Sequence, residues 1–231
     1  MKPLFQGIWI LLFLIPFISC KKEPEPTLKP VSTATPFEFI VPPGFPTQLN
    51  IPQDNPLTVE GIELGRYLFY DNRLAGRADE GKFMSCSSCH VQENSFVIGM
   101  PRPQPVGLNG IATHHAMLPL INLVWNPGTF GWTGSVASIE ADVLAVITDP
   151  SEFGSSPEKV EKAIRDIPGY TALFEQAFGT PEVTVERIAK AIAQFVRTLV
   201  SDNSKFDRYL RGQVQLSQAE LMGFVLFTTE E

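Results

Sequence analysis

Cys86-Ser87-Ser88-Cys89-His90 is the five-residue segment from which the organisation of this 231-residue chain can be worked out. The C-x-x-C-H spacing is the attachment signature of c-type haem. Two thiols one helical turn apart can form thioethers with the two vinyl groups of one porphyrin, and the adjacent histidine is then directed at the iron as its proximal ligand. A zinc half-site or a thiol–disulfide pair is the alternative, but no cysteine follows residue 90 and no βαβ pattern surrounds the motif. The motif therefore predicts one haem c held by Cys86, Cys89 and His90.

The first twenty residues predict export from the cytoplasm. Lys2 precedes an apolar run from Ile8 to Ile18, which is too short to span a bilayer comfortably and suits the core of a signal peptide. The run ends at Ser19-Cys20 and the chain then turns polar, as in a bacterial lipoprotein signal. We expect a signal peptide over residues 1–19, lipid on Cys20, and a cell-envelope location as a periplasmic-side or outer-membrane lipoprotein. An uncleaved anchor or an ordinary secretory signal is the alternative.

The amino-acid composition argues against nucleic acid as a partner. The 25 acidic and 18 basic residues give a formal net charge of −7, which argues against nucleic-acid binding because that requires a basic face. The acidity is compatible with docking a basic electron-donor protein. The chain has 3 cysteines. Since one is expected to carry lipid and two to carry haem, none is left for a disulfide.

The pattern along the chain predicts an all-α fold with long irregular loops. Residues 20–56 are rich in proline, which excludes helix interiors and indicates an extended tether. Residues 91–135 carry many glycines and prolines and should be irregular. Apolar periodicity and capping residues predict helices over Leu57–Tyr70, 85–90, Ser138–Ile147, Pro157–Ile167, Tyr170–Phe178 and Val185–Val200.

Two stretches of the chain share a short motif. Gly65-x-x-Leu68-Phe69 precedes the C-x-x-C-H segment, and Gly223-x-x-Leu226-Phe227 recurs after a capping box of Ser217 and Glu220. We infer an internal repeat of haem domains. Residues 57–211 would then be the N-terminal haem domain, and residues 212–231 the start of a second cytochrome c domain that is truncated before its own C-x-x-C-H. Chance recurrence of a helical motif is the alternative.

Several sequence anchors follow one another in a fixed order. They are Leu64-Gly65-Arg66-x-Leu68-Phe69-Tyr70-Asp71-x-Arg73-Leu74, Ser85-Cys86-x-x-Cys89-His90, Phe130-x-Trp132-x-Gly134 and Phe206-Asp207-Arg208-Tyr209-Leu210. This order, over roughly residues 50 to 227, resembles the bacterial dihaem cytochrome c peroxidases and the related MauG enzymes. The resemblance implies a cytochrome c-like domain that bears the peroxidatic haem, followed by a second domain with an electron-entry haem.

The resemblance also implies roles for individual residues. His90 is placed as proximal ligand of the peroxidatic haem. Trp132 falls where the family keeps a tryptophan between the two haems, as an electron relay; packing on the porphyrin is the alternative. Glu152 falls at the family's acid/base glutamate, which can carry a proton from the near oxygen of hydrogen peroxide to the leaving oxygen; a solvated surface glutamate is the alternative. Asp142 lies where a distal glutamine is often found, and it keeps a polar group there while adding a charge.

The sequence departs from the family pattern in two further places. Trp132-Thr133-Gly134-Ser135 lacks the Asp and Arg of a Trp-Asp-Gly-Arg motif, and the family's Arg-Asn-Ala-Pro run corresponds to His115-Ala116-Met117-Leu118. Some members have a distal histidine near the place of Leu108. Here His114 or His115 could take that role, or both could be loop histidines. Iron without a sixth protein ligand would be open to peroxide without prior activation.

Two classes of function follow. The first is an enzyme, a cytochrome-c peroxidase-like oxidoreductase that reduces hydrogen peroxide to water with electrons from a small cytochrome or a cupredoxin. The second is an envelope electron-transfer cytochrome without peroxidase activity. MauG-like oxidation of a protein substrate is a further option within the enzyme class. The resemblance implies a second haem in the full-length protein, and it raises calcium as another cofactor and a homodimer as the assembly. Contact with the membrane is expected through the lipid anchor only.

Overall fold

The computed structural model describes residues 34–99 and 104–229, and within these ranges the chain is helical with no β-strand. The α-helices are α1 (Val59–Tyr70), α2 (Ile139–Thr148), α3 (Pro157–Arg165), α4 (Tyr170–Phe178), α5 (Val185–Arg197), α6 (Lys205–Leu210) and α7 (Gln218–Thr228). Single turns of 3₁₀ helix lie at Ala78–Glu80, Cys86–Ser88, Gln92–Asn94 and Leu123–Trp125. The all-α prediction is confirmed. The expected signal peptide over residues 1–19 and Cys20 lie outside the described residues.

The main helices begin where the sequence supplies an oxygen that can cap them. The side chains of Thr58, Ser138, Ser156 and Thr184 precede α1, α2, α3 and α5, and each accepts a hydrogen bond from a backbone N–H in the first turn. Pro157 occupies the first turn of α3, where its missing N–H costs nothing. Each polar cap stabilises its helix by about 1 kcal/mol. Local sequence therefore determines where these helices start.

Five of the six predicted helices are confirmed, with shifts at the ends of most of them. Helix α1 begins at Val59 rather than Leu57 because Thr58 is its N-cap. Helix α5 ends at Arg197 rather than Val200, and the chain leaves the helix through Thr198. The helix expected over residues 85–90 does not form, and only a 3₁₀ turn at Cys86–Ser88 is present there.

Helix α5 is the centre of the hydrophobic core, and α1, α2 and α3 pack against it. The buried face of α5 includes Ile188, Ala191, Ile192, Phe195 and Val196. Gly65 explains how closely α1 crosses α5, because a Cβ at this position would lie 1.9 Å from the backbone oxygen of Ala191. Leu64 and Leu68 of α1 are fully buried, which stabilises the fold by about 1.5–3 kcal/mol for each side chain.

Residues 34–56 differ from the extended tether that the prolines suggest for residues 20–56. They form no helix, as expected, but they pack on the helical domain. Arg197 is 1% exposed, donates to the backbone oxygen of Asn50 at 3.0 Å and pairs with Glu140 at 2.7 Å. Asn55 donates to the same Glu140 carboxylate at 2.7 Å. Because a buried ion pair must keep its hydrogen-bond partners, this part of the segment belongs to the domain.

Residues 91–99 and 104–135 are irregular, as their composition predicts. Three isolated antiparallel bridges, Val91–Val97, Val106–Ala112 and Phe130–Val136, close short loops within these ranges. The loops follow the C-x-x-C-H segment directly, so they are available to enclose a bound group.

Helices α6 and α7 form a pair at the C-terminal end of the described chain. The ring centroids of Phe206 and Phe224 lie 5.1 Å apart, and Lys205 donates to the Glu220 carboxylate at 2.6 Å. The predicted capping box of Ser217 and Glu220 is present at the start of α7. Helix α6 was not predicted. Neither this pair nor any other helix in the described ranges is long and apolar enough to cross a bilayer.

Candidate functional site

A cavity that is partly open to solvent lies among helices α1, α2 and α5 and the loops that follow the C-x-x-C-H segment. Its walls are mainly apolar side chains from the three helices, among them Phe69, Ile139, Val143, Ile188, Ile192 and Val196. The polar groups that reach it include Cys86, Cys89, His90, Asp142 and Glu152. Five residues that the sequence singled out therefore share one cavity.

The cysteine side of the cavity is shaped by local hydrogen bonds. Ser85 caps the 3₁₀ turn in a reciprocal capping box with Ser88, and the backbone N–H of His90 donates to the oxygen of Cys86 at 2.8 Å. Both cysteines are free rather than paired in a disulfide. Burial raises the pKa of the Cys86 thiol to about 12 and that of Cys89 to about 11, so both sulfurs carry their protons.

His90 is held in one orientation by the loop that follows it. Its Nδ1 lies 2.7 Å from the backbone oxygen of Phe96, and a neutral ring must donate at that nitrogen because a carbonyl oxygen only accepts. Ser95 and Phe96 adopt positive φ angles of 59° and 60°, which turn the chain back toward the histidine. Burial lowers the pKa of His90, which keeps the imidazole neutral. Nε2 is thereby left as a free lone pair, the form in which histidine binds a metal.

The carboxylate side of the cavity comes from α2 and the turn that follows it. Asp142 lies on α2, and Glu152 lies in the loop between α2 and α3. Burial, reinforced by the charges of Asp142 and Asp149, raises the pKa of Glu152 to about 7. Burial alone raises the pKa of Asp142. A carboxyl group with a pKa near neutrality can both accept and return a proton, which is the property of a general acid/base.

The other residues that the sequence singled out lie outside this cavity lining. Trp132 is 57% exposed, and its indole N–H donates to the backbone oxygen of Ala116 at 2.6 Å. The ring of His115 lies 6.2 Å from the Trp132 ring, and both His114 and His115 are exposed. Leu108 packs against the hydrophobic core, and its backbone N–H donates to the oxygen of Glu152 at 2.8 Å. The electron-relay role of Trp132 stays a prediction.

The sequence did not identify the residues that hydrogen-bond to the backbone around Glu152. Arg77 and Asn109 contact the backbone on either side of it, at the carbonyls of Pro150, Phe153 and Gly154. No spacing rule marks Arg77, which lies in a charged loop. Asn109-Gly110 is a recognisable turn dipeptide, but it indicates only a turn and not what the turn contacts.

The residues present fit a c-type haem. Two protonated thiols could form thioethers, a neutral imidazole with a fixed tautomer could bind the iron, and apolar walls on three helices could enclose the porphyrin. Within residues 34–99 and 104–229, no group of three or more His, Cys, Asp or Glu residues is placed to hold a separate metal ion. The expectation of calcium stays a prediction.

Comparison with known proteins agrees with the motif order. A family model described as di-haem cytochrome c peroxidase matches residues 59–215. The chain is similar to the methylamine utilization protein MauG of Methylorubrum extorquens, with 35% identity over 185 residues that cover 79% of this chain and 50% of that protein. It is also similar to cytochrome c551 peroxidase of Nitrosomonas europaea, with 34% identity over 180 residues that cover 74% of this chain and 50% of that protein.

A solved structure shares both the fold and sequence similarity. The crystal structure of a MauG-like protein associated with microbial copper homeostasis superposes with a TM-score of 0.75 and 32% identity, covering 84% of this chain and 55% of that one. The chain spans about half the length of the curated relatives it matches. Because the family model covers well over half of the residues, and because the motifs meet in one cavity, the chain belongs to the di-haem cytochrome c peroxidase family.

Proposed function

We propose that this chain is the N-terminal, peroxidatic haem domain of an enzyme that reduces hydrogen peroxide to water with electrons from a small cytochrome or a similar donor. One observation carries the proposal. The cavity that is lined by the C-x-x-C-H residues also contains Glu152, whose pKa is raised to about 7 by burial and by neighbouring carboxylates. An electron carrier needs no such proton-transfer group, whereas peroxide reduction does.

The haem would be held by Cys86 and Cys89, with His90 at the iron. When bound, haem supplies an iron that can coordinate peroxide and pass electrons to it. The Phe96 carbonyl keeps the His90 ring in the tautomer that presents Nε2, so the imidazole would meet the iron as a ligand of fixed orientation. The apolar side chains from α1, α2 and α5 would exclude water from the group bound in the cavity.

Glu152 would move the proton that peroxide reduction requires. In its ionised form it accepts the proton of the near peroxide oxygen, and it then returns that proton to the leaving oxygen, which departs as water. The overall reaction consumes two electrons and two further protons and yields two water molecules. Asp142 would act on this step through its charge, because a nearby carboxylate raises the pKa of Glu152 and keeps the group close to neutrality.

Replacing Glu152 by Gln tests the proposal. Because the amide keeps the shape and cannot shuttle a proton, we expect Glu152→Gln in the complete, haem-loaded protein to slow peroxide turnover at least about tenfold, at an almost unchanged haem spectrum. Glu158→Gln is the matched control, since Glu158 is an exposed carboxylate in the first turn of α3. Equal turnover in Glu152→Gln and the wild type would favour an envelope electron-transfer cytochrome instead.

A second candidate is oxidation of a protein substrate in the manner of MauG enzymes. The identity of 35% to a MauG protein favours it, as does Trp132, whose large exposed ring could exchange electrons with a docked protein. The two enzyme functions share the haem and Glu152 and differ in the final electron donor. Measuring peroxide consumption with a reduced small cytochrome as the donor distinguishes them.

The location and partners belong to the same proposal. Residues 1–19 would direct export, Cys20 would carry lipid, and the domain would act on the periplasmic side of the envelope or at the outer membrane. A second haem domain would begin near residue 212, a cytochrome or cupredoxin would donate electrons, and calcium and a homodimer complete the expected assembly. Labelling with a radioactive fatty acid should be lost in Cys20→Ser. Equal labelling of that variant would reject lipidation at Cys20.

A further inference from the structure

Arg77 is a buried arginine that does not line the cavity, yet it contacts the loop that carries Glu152. Arg77 is 7% exposed and immediately precedes the 3₁₀ turn at Ala78–Glu80. Its Nη1 donates to the backbone oxygens of Phe153 at 3.1 Å and Gly154 at 3.2 Å. The same nitrogen lies 2.8 Å from Oδ1 of Asn109. One guanidinium thus connects two loops that are far apart in the sequence.

Asn109 and its neighbours hold the other side of the Glu152 loop. The Asn109 amide donates to the oxygen of Pro150 at 3.1 Å, and the Leu108 N–H donates to the oxygen of Glu152 at 2.8 Å. Gly107 lies so close that a Cβ would come within 2.3 Å of the Ser151 oxygen and 2.4 Å of the Glu152 oxygen. The carbonyls of Pro150, Glu152, Phe153 and Gly154 are therefore all occupied by partners from residues 77 and 108–109.

The far side of the Arg77 guanidinium is fixed as well. Its Nη2 donates to Glu80 at 2.6 Å, and the Glu80 carboxylate also accepts Nζ of Lys159 on α3 at 3.0 Å. These two cations lower the pKa of Glu80 to about 2, so the carboxylate stays charged at any working pH. A planar guanidinium group can donate hydrogen bonds to a carboxylate along one edge and to carbonyl oxygens along another. An ammonium group lacks this fixed arrangement of donors.

We propose that Arg77 is a positioning residue for Glu152: together with Asn109 it fixes the backbone of residues 150–154 and thereby holds the Glu152 carboxyl in the cavity. The inference rests on the proposed role of Glu152 in proton transfer. The loop has no helix of its own, and its N–H groups donate back to Asp149 and to Val146 of α2. Its carbonyl groups are fixed by the contacts with residues 77 and 108–109. An acid/base must stay within hydrogen-bond reach of the atoms it serves, and small displacements slow the reaction steeply.

Arg77→Gln in the complete, haem-loaded protein tests the proposal, with Arg187→Gln as the matched control. Arg187 also donates to loop carbonyls, but these belong to Thr180 and Glu182 and not to the Glu152 loop. Like Arg77, it does not line the cavity. The first measurement is hydrogen exchange of the backbone amides of residues 152–154. We expect at least about tenfold faster exchange there in Arg77→Gln and no change in Arg187→Gln, because only Arg77 donates to the carbonyls of residues 153 and 154.

The second measurement is the pH dependence of peroxide turnover. The groups facing Glu152 are Asp142, Asp149 and the sulfurs of Cys86 and Cys89. If the loop loosens, Glu152 gains water and its acidic limb moves to lower pH, while turnover falls about tenfold or more. Arg77→Lys keeps the charge without the planar fork, so it should restore these properties only in part.

The outcomes separate this proposal from the proposed function. Wild-type exchange, turnover and pH limb in Arg77→Gln, alongside slow turnover in Glu152→Gln, would overturn the role of Arg77 alone. Faster exchange with wild-type turnover and pH limb would show that Arg77 stabilises the loop without positioning the carboxyl, and it would also overturn the proposal. Wild-type turnover in Glu152→Gln would overturn the proposed function itself and with it the need for a positioning residue.

Discussion

The two sides of the cavity are built in different ways. Cys86, Cys89 and His90 lie in one five-residue segment and are held by hydrogen bonds that reach no further than Ser85 and Phe96. Asp142 and Glu152 come from a helix and the following loop, and Glu152 is held by contacts from residues 77 and 107–109. The first side is thus encoded by local spacing and the second by tertiary packing. Each side should fail in its own way, one by losing the haem and the other by losing turnover with the haem in place.

The largest effect is expected on the cysteine side. Replacing both thiols in Cys86→Ala/Cys89→Ala removes the two atoms that could form thioethers, so no covalent haem should remain. A denaturing gel stained for haem should show a band for the wild type and none for the double variant. An unstained wild-type band, from a host with a working c-type maturation system, would contradict the assignment.

The His90→Ala variant separates the covalent attachment of haem from the binding of its iron. His90→Ala should keep the haem on its thioethers, change the absorption spectrum, and reduce peroxide turnover to background because the imidazole that would bind the iron is lost. His115→Ala is the control, since His115 is exposed beside Trp132. A changed spectrum in the control would instead identify His115 as an iron ligand.

Gly107 tests the carboxylate side without altering any polar group. A methyl group there would collide with the oxygens of Ser151 and Glu152, so the loop must shift. We expect Gly107→Ala to stain fully for haem and to turn over peroxide about tenfold more slowly. Gly61→Ala on α1 is the matched control, because a methyl group there would also meet a neighbour, the Gln194 side chain, but neither residue lines the cavity. Equal rates in the two variants would show that the loop tolerates displacement.

Asp142 should give the smallest effect. Its negative charge contributes, after burial, to the raised pKa of Glu152. Asp142→Asn removes that charge, so the pKa of Glu152 falls and the acidic limb of the pH profile moves to lower pH by less than about one unit. Asp166→Asn, at a surface carboxylate that pairs with Lys162, should leave the limb in place. A limb that moves to higher pH in Asp142→Asn would contradict the electrostatic account.

The same contrast explains what could be predicted from the sequence. The caps at Thr58, Ser138, Ser156 and Thr184 and the C-x-x-C-H segment are local signals, and the helices and the cysteine side followed from them. Glu152 was found through a family resemblance. Arg77 was not found, because a loop arginine gives no sign of which carbonyls it will meet.

A sequence motif does not show how its residues will be packed in the folded chain. Leu68 in α1 is 0% exposed, and a Cβ at Gly65 would collide with the backbone of α5, but only the crossing of α1 and α5 shows this. The proline-rich segment is a similar case: its composition predicts the lack of helix, but its docking through Asn50 and Asn55 depends on the distant pair Arg197 and Glu140.

The most direct test of the account is the pH dependence of kcat/KM for hydrogen peroxide in the haem-loaded wild type and in Glu152→Gln. This parameter reports the ionisation of the free enzyme's essential base. Since Glu152 must be ionised to accept the peroxide proton and its pKa is about 7, wild-type kcat/KM should rise with pH through an acidic limb centred near that value. In Glu152→Gln the limb should be absent and the rate low throughout. The same limb at an undiminished rate in both proteins would contradict the claim that Glu152 is the proton-transfer group of this cavity.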